Sequence, residues 1–290
     1  MGNNQMLDAI SEPKGKILTD RREQATVPLS ENIQKILRSG EISAPKLFLE
    51  MIRLCWGRKA ITPTEYVNFQ VYRKDLTWAE KRAFVGQERN FKINCKMAPP
   101  ETTQMRSFLN DKFAFGILCE QLGIPFTNLQ AMYSPDRFTG KNRSLRTAED
   151  IEAFLVNDAI LPVFGKPVNE QQALGAARID HVDSETGTAH FANGQVVSIR
   201  EMAEEIIREF PEGYAFQSVV VQNDDVTKHV GQTLATLRLV TVIDEISPRS
   251  LYAIWKLPGV NAMADNFWQD GSMMCAVNAE TGVVERCVFG

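Results

Sequence analysis

Leu234-Ala235-Thr236-Leu237-Arg238-Leu239-Val240-Thr241-Val242-Ile243 is a run of strand-forming residues with one cation in its middle. β-Branched and apolar residues fit a pleated surface, and alternation puts Arg238 on one face with Thr236, Val240 and Val242. A second run, Leu251 to Leu257, carries Lys256 near its end; a hairpin of the two would set Lys256 beside Arg238. Met273 to Asn278 and Val283 to Phe289 follow, with Glu280-Thr281-Gly282 between them as a hairpin loop. Upstream, Leu161 to Lys166, Ala176 to His181, Thr188 to Phe191 and Tyr214 to Val221 read the same way, with a turn at Asn193-Gly194. One helix interrupts these strands, capped by Ser198 with Glu201 three residues on.

The N-terminal half is helical by pattern. Ser30 is expected to cap a helix that stops at Gly40, and Pro45 to Gly57 has helical apolar spacing. Thr77 with Glu80 and Thr147 with Asp150 form capping boxes. Asn110-Asp111-Lys112 opens an amphipathic helix, Phe113 to Leu122, that Gly123 ends. Helices first and mostly antiparallel strands later predict an α+β protein. Residues 1–28 are polar and unpatterned and read as a disordered tail, 29–106 as a helical region and 107–290 as the strand-rich domain.

Composition narrows the function. The chain has 290 residues, 44% hydrophobic, 23% charged, with a net charge of −4. No general basic field exists, so nucleic acid is not expected as a partner. No apolar run approaches the ~18 residues that span a bilayer, no signal peptide is visible at Met1 to Ile10, and a cytoplasmic protein without membrane insertion is expected. The five cysteines, 55, 95, 119, 275 and 287, form no Cys-x-x-Cys, and only three histidines accompany them. Neither a structural zinc site nor a disulfide framework is expected, and most of these cysteines read as buried free thiols.

Four positions carry candidate chemistry. Lys166 ends an apolar strand before the loop Asn169 to Gly175; it reads as a surface lysine at a hairpin start or as a polyphosphate ligand. Arg238, inside an apolar run, needs either a structural partner or a phosphate. With Lys256 beside it and no evident acidic partner, the pair favours an anionic ligand. Asp265-Asn266 either makes an Asx-turn or orients a nucleotide or metal-bound water. His181, His190 and His229 have no companion ligands in the pattern.

In this order these residues resemble the ATP-grasp enzymes, in particular the sugar-transfer-associated ATP-grasp family, from about Ser107 to Gly290. Asp111-Lys112-Phe113 with Leu122-Gly123-Ile124-Pro125 is similar to the family's opening helix, whose lysine approaches the nucleotide phosphates. Val163-Phe164-Gly165-Lys166-Pro167 resembles the second phosphate-binding lysine, and Asn169 to Gly175 the loop that closes over the phosphates. Tyr214-Ala215-Phe216-Gln217 resembles the hinge strand that meets the adenine. Leu234-Ala235-Thr236-Leu237-Arg238 and Ala264-Asp265-Asn266-Phe267 are the most specific matches. The loop is poorer in glycine than the family's, and Lys256 stands where arginine is commoner.

The resemblance implies an ATP-grasp fold of two α+β lobes with largely antiparallel sheets behind a helical N-terminal region. It implies ATP and Mg²⁺ as cofactors, with Lys112, Lys166, Gly175, Gln217, Asp265 and Asn266 binding them and Arg238 and Lys256 acting in catalysis. The family's Glu-x-Asn metal motif is matched by neither Glu280 nor Glu285, so the chain is expected to end before the metal site. The implied activity is an ATP-dependent carboxylate–amine ligase working through an acyl phosphate on an unidentified small-molecule acceptor, with a link to cell-surface polysaccharide synthesis. The alternatives are a non-catalytic or truncated nucleotide-binding relative and a phosphotransferase acting on a sugar or other hydroxyl.

Overall fold

The computed structural model describes residues 16–18, 28–57, 60–97, 102–170, 173–243, 247–259, 262–265 and 271–289. They fall into two compact units, Arg22–Leu109 and a larger one made of Met1–Arg21 with Asn110–Gly290.

The smaller unit is helical: α1 (Leu29–Ser39), α2 (Ala44–Met51), α3 (Pro63–Asn68), α4 (Trp78–Ala83), α5 (Gln87–Met97) and most of α6 (Thr102–Asn110). α2 runs on into a π-helical segment, Ile52–Gly57. Ser30 lies inside α1, whose N-cap is Pro28, so the expected serine cap is corrected: the proline already fixes the chain at the entry. Thr77 caps α4 as expected, and Thr62 caps α3 with the same reciprocal use of a glutamate three residues on. Ile36, Leu47, Leu54, Tyr66 and Val71 form the core. Within it Lys81 Nζ donates to the Glu50 carboxylate at 2.9 and 3.1 Å, and the Tyr66 hydroxyl donates to it at 2.7 Å. Both charges are buried, so each depends on the other and on the phenol.

The larger unit begins with α7 (Lys112–Gln121), capped by Asp111, which accepts the amides of Phe113 and Ala114. Then come β1 (Leu129–Tyr133), β2 (Ser144–Leu145), α8 (Ala148–Asn157), β3 (Val163–Pro167), β4 (Ala177–Asp183), β5 (Thr188–Phe191), β6 (Val196–Ser198), α9 (Ile199–Glu209) and β7 (Tyr214–Ser218). Among the described residues these strands form one sheet in the order β2-β1-β7-β3-β4-β5-β6, antiparallel except where β1 meets β2. Ile151, Phe154 and Leu155 of α8 and Ile199, Met202 and Ile206 of α9 pack with Tyr133, Val163, Ile179, Tyr214 and Phe216. Burial of each such side chain contributes about 1.5–3 kcal/mol. Both helices therefore cover one face, and alternation turns Met132, Phe164, Lys166, Arg178, Ala215 and Gln217 to the other. Phe113 of α7 packs there with Met132 and Val168.

The N-terminal segment is not free throughout. Ile17 and Leu18 pack against the α8–α9 core, and their amides donate to the buried Glu205 carboxylate at 2.6 to 3.2 Å. At these residues the expectation of a disordered tail is corrected: a buried carboxylate needs donors, and the two backbone amides supply them.

After α10 (Asp224–Val230), β8 (Thr236–Ile243), β9 (Pro248–Leu257), β10 (Met273–Val277) and β11 (Val284–Phe289) form a second antiparallel sheet in the order β11-β10-β9-β8. Arg178 Nη1 donates to Gln232 O at 3.2 Å, and Met263 packs against the first sheet's core, linking the two sheets. Cys275 and Cys287 are register partners in β10 and β11 and form a disulfide. The expectation of no disulfide is thus corrected for this pair, because the hairpin sets the two residues opposite each other. Cys55 and Cys119 are buried free thiols, and Cys95 is exposed. No helix among the described residues is long and apolar enough to cross a membrane. The architecture is α+β with largely antiparallel sheets.

Candidate functional site

The face of the seven-stranded sheet opposite α8 and α9 brings three of the sequence candidates together. Lys166 stands on β3 opposite Ala215 of β7, and Gln217 stands two residues along the same face of β7, opposite Phe164. Diagonal neighbours of this kind have Cβ atoms about 7–8 Å apart or somewhat less, within reach of one ligand. Lys112 approaches from the first turn of α7, where its backbone amide donates to Val168 O at 3.2 Å. Its ammonium donates to Val168 O at 3.1 Å and to Glu170 O at 2.5 Å, clasping the start of the loop that follows β3.

The electrostatics of this face favour an anion. Burial and then the neighbouring Lys112 charge push Lys166 down from 10.5 to about 8. Lys112 is itself lowered by burial, with Glu170 and Asp111 acting in the opposite sense. The Lys166 ammonium has no hydrogen bond or ion pair to another described residue, while its backbone pairs with β7. Gln217 is only 3% exposed, yet its side-chain amide is bonded to no described residue. Among the described residues the fully enclosed side-chain polar atom without a hydrogen bond is Thr127 Oγ1, so the Gln217 amide keeps contact with solvent and, like the Lys166 ammonium, is open to a ligand that accepts and donates hydrogen bonds.

The loop itself is anchored at both ends. Val168 N donates to Gly213 O at 3.0 Å, and the Tyr214 hydroxyl donates to Gly175 O at 2.8 Å. Gly175 has φ +70°, and a Cβ there would lie 2.3 Å from Phe210 Cζ, so only glycine fits. Gly165 is equally constrained from the other side: a Cβ would lie 2.7 Å from the Tyr214 ring, which crosses the strand at that point. Gly175 therefore sets the loop's exit. Gln171 and Gln172 lie outside the described residues.

The remaining candidates lie on the other sheet. Arg238 and Lys256 share a face of the β8–β9 hairpin, with Lys256 opposite Thr236 and Arg238 opposite Ile254. The hairpin is as expected, but the expected lack of an acidic partner is corrected: Lys256 Nζ meets Asp265 Oδ2 at 3.1 Å, and the Thr236 hydroxyl also donates to that oxygen. One oxygen of the Asp265 carboxylate is thereby engaged and its charge is offset by Lys256. Arg238 is exposed, because β8 is the sheet's edge and the strand around it is open to solvent. Asn266 lies outside the described residues. Lys166 belongs to the first sheet, Arg238 and Lys256 to the second.

No family model, no curated protein and no solved structure matches this chain. The residues themselves carry the functional argument.

His181 and His190 are opposite each other on β4 and β5 with ring centroids 5.4 Å apart, and no group of three or more His, Cys, Asp or Glu that could hold a metal occurs among the described residues. Tyr214 is the site residue that sequence reasoning gave no role of its own. Its signal is a phenol inside the otherwise apolar Tyr-Ala-Phe triplet, since a buried hydroxyl requires an acceptor.

Proposed function

We propose that the face bearing Lys112, Lys166 and Gln217 binds ATP and that the chain works as an ATP-grasp-type carboxylate–amine ligase. The observation that carries the binding reading is the pairing of two adjacent lysines, one whose ammonium has no partner among the described residues, with the unbonded side-chain amide of the mostly buried Gln217. Two ammonium groups on one face suit a polyphosphate, and an amide that both donates and accepts suits a purine edge. The ligase reading rests on the resemblance of Asp111-Lys112-Phe113, Val163-Phe164-Gly165-Lys166-Pro167 and Leu234-Ala235-Thr236-Leu237-Arg238 to that family. The α+β architecture with two antiparallel sheets supports it.

The residues fit the nucleotide better than they fit Mg²⁺. Asp265 is taken up by Lys256 and Thr236, and the described residues offer no other acidic cluster. The step proposed for this chain's residues is therefore charge neutralisation at the γ-phosphate. Lys166 donates to a γ-phosphate oxygen while an acceptor carboxylate oxygen attacks phosphorus and ADP leaves. An amine then displaces phosphate from the acyl phosphate, forming the amide and losing one proton to solvent. Lys112 is already engaged by Val168 O and Glu170 O, so it acts by holding the loop as well as by its charge.

Calorimetric titration of Mg-ATP into the protein, with Lys166→Ala alongside, tests the site. Saturable binding that the substitution weakens by about tenfold or more is expected, as for a lost charge-assisted contact. A folded protein that takes up no ATP would end the nucleotide reading. ATP binding without ADP release in the presence of varied carboxylates and amines would end the ligase reading alone.

A further inference from the structure

The helical unit holds a cavity of about 490 Å³ that the nucleotide reading does not use. That volume lies within the roughly 300–1,000 Å³ typical of small-molecule sites. Cys55, Ala60, Ile61, Pro63 and Ile93 give it an apolar lining. Cys55 behaves as a buried apolar group there, its thiol pushed up to about 11 by burial and then by Glu65.

The rim is charged and unevenly so. Arg89, Lys92 and Lys96 line it from α5 at spacings of three and four residues, which places them on one face of the helix. Glu65 and Glu88 are the acidic groups. The Glu65 carboxylate accepts from the Thr62 amide at 2.8 Å, the Thr62 hydroxyl at 3.1 Å and the Gln87 amide at 2.7 Å. Burial alone would raise that carboxyl, but the Gln87 and Thr62 bonds more than offset it and hold it below the usual carboxylate range. Its charge is spent on capping α3 and the first turn of α5. Gly86 makes this close approach possible, since a Cβ there would lie 2.2 Å from Glu65 Oε2. Glu88 is paired to Lys92 one turn along α5. The lining thus combines apolar side chains with the Glu88–Lys92 pair, a Glu65 carboxylate spent on helix capping, Arg89, and Lys96, which has no ion pair with a described residue.

We infer that this cavity binds an amphipathic anion, a hydrophobic chain ending in a single carboxylate, with the chain on Ile61 and Ile93 and the carboxylate at Lys96. Neutral or cationic chains of equal length lack the match at the rim, and small polar anions leave the apolar walls in water.

The probe is decanoate, titrated into the full chain by calorimetry, with decyltrimethylammonium as the charge control and acetate as the chain control. Lys96→Glu and Ile93→Asp are the variants; both alter exposed positions on a helix with no buried residues, and circular dichroism confirms their fold. Decanoate should bind with a Kd of about 100 μM or tighter, and both controls should bind at least about tenfold more weakly. Each variant should weaken decanoate by about fivefold or more, as expected when an attractive charge or an apolar wall is lost. Decanoate that does not bind overturns the inference. So does equal binding of decyltrimethylammonium, or decanoate binding that either variant leaves intact.

Discussion

Replacing Lys166 by methionine should stabilise the ligand-free protein while weakening the proposed ATP binding by about tenfold or more. Methionine keeps most of the apolar stem and removes the ammonium that burial penalises. A fall from 10.5 to about 8 corresponds to about 3 kcal/mol of preference for the neutral amine, an upper figure because the side chain keeps some contact with water. Below pH 8 the lysine is charged in both the folded and the unfolded chain, so the folded protein bears the whole penalty. Between about pH 8 and 10.5 the unfolded chain holds the proton and the folded protein does not, so wild-type stability climbs with pH. The methionine variant should therefore be more stable by about 1–3 kcal/mol at pH 7 and by less than about 1 kcal/mol at pH 10. Urea unfolding read by hydrogen exchange of peptides from β3 and β7 confines the measurement to the unit that carries the site. In a thermal melt the same change amounts to about 2–4 °C per kcal/mol for a unit of this size. A variant no more stable than wild type at pH 7, or an advantage that does not shrink by pH 10, refutes the claim that Lys166 is held charged against its desolvation.

Lys81→Met strands the buried Glu50 carboxylate with Tyr66 as its remaining partner and should cost about 3–5 kcal/mol, whereas adding Glu50→Leu should recover most of the loss. Urea midpoints of the single and double variants decide it, and a double variant as weak as the single would argue against a buried-charge penalty. Gly175→Ala forces a Cβ onto Phe210 at a left-handed φ and should destabilise the larger unit by about 1–3 kcal/mol. The milder Tyr214→Phe removes only the hydroxyl's bond to Gly175 O and should cost about 1 kcal/mol while speeding amide exchange in residues 173–176.

The α+β class, the two capping boxes at Thr77 and Thr147 and the β8–β9 and β10–β11 hairpins were legible because each is written in a local signal: a cap residue with its partner three along, or a period-two run between turn residues. Arg238 was misread for a reason local patterns cannot supply. Its apolar neighbours Leu237 and Leu239 look like core, but an edge strand with an uncovered face leaves them 62% and 51% exposed and needs no partner for the cation. The Cys275–Cys287 bond was hidden for the same cause, since their opposition depends on strand register and not on spacing. The site was half legible. Lys112 and Lys166 stand out as cations at element ends, yet what makes them a site is that β7 falls between β1 and β3 and brings a buried Gln217 onto their face. Sheet order is a long-range property: the sequence signals β7 as a strand but says nothing of its neighbours. Topology is thus what favours an anion on this face, and Lys256, which looks just as free in the sequence, loses its claim once Asp265 folds back onto it at 3.1 Å.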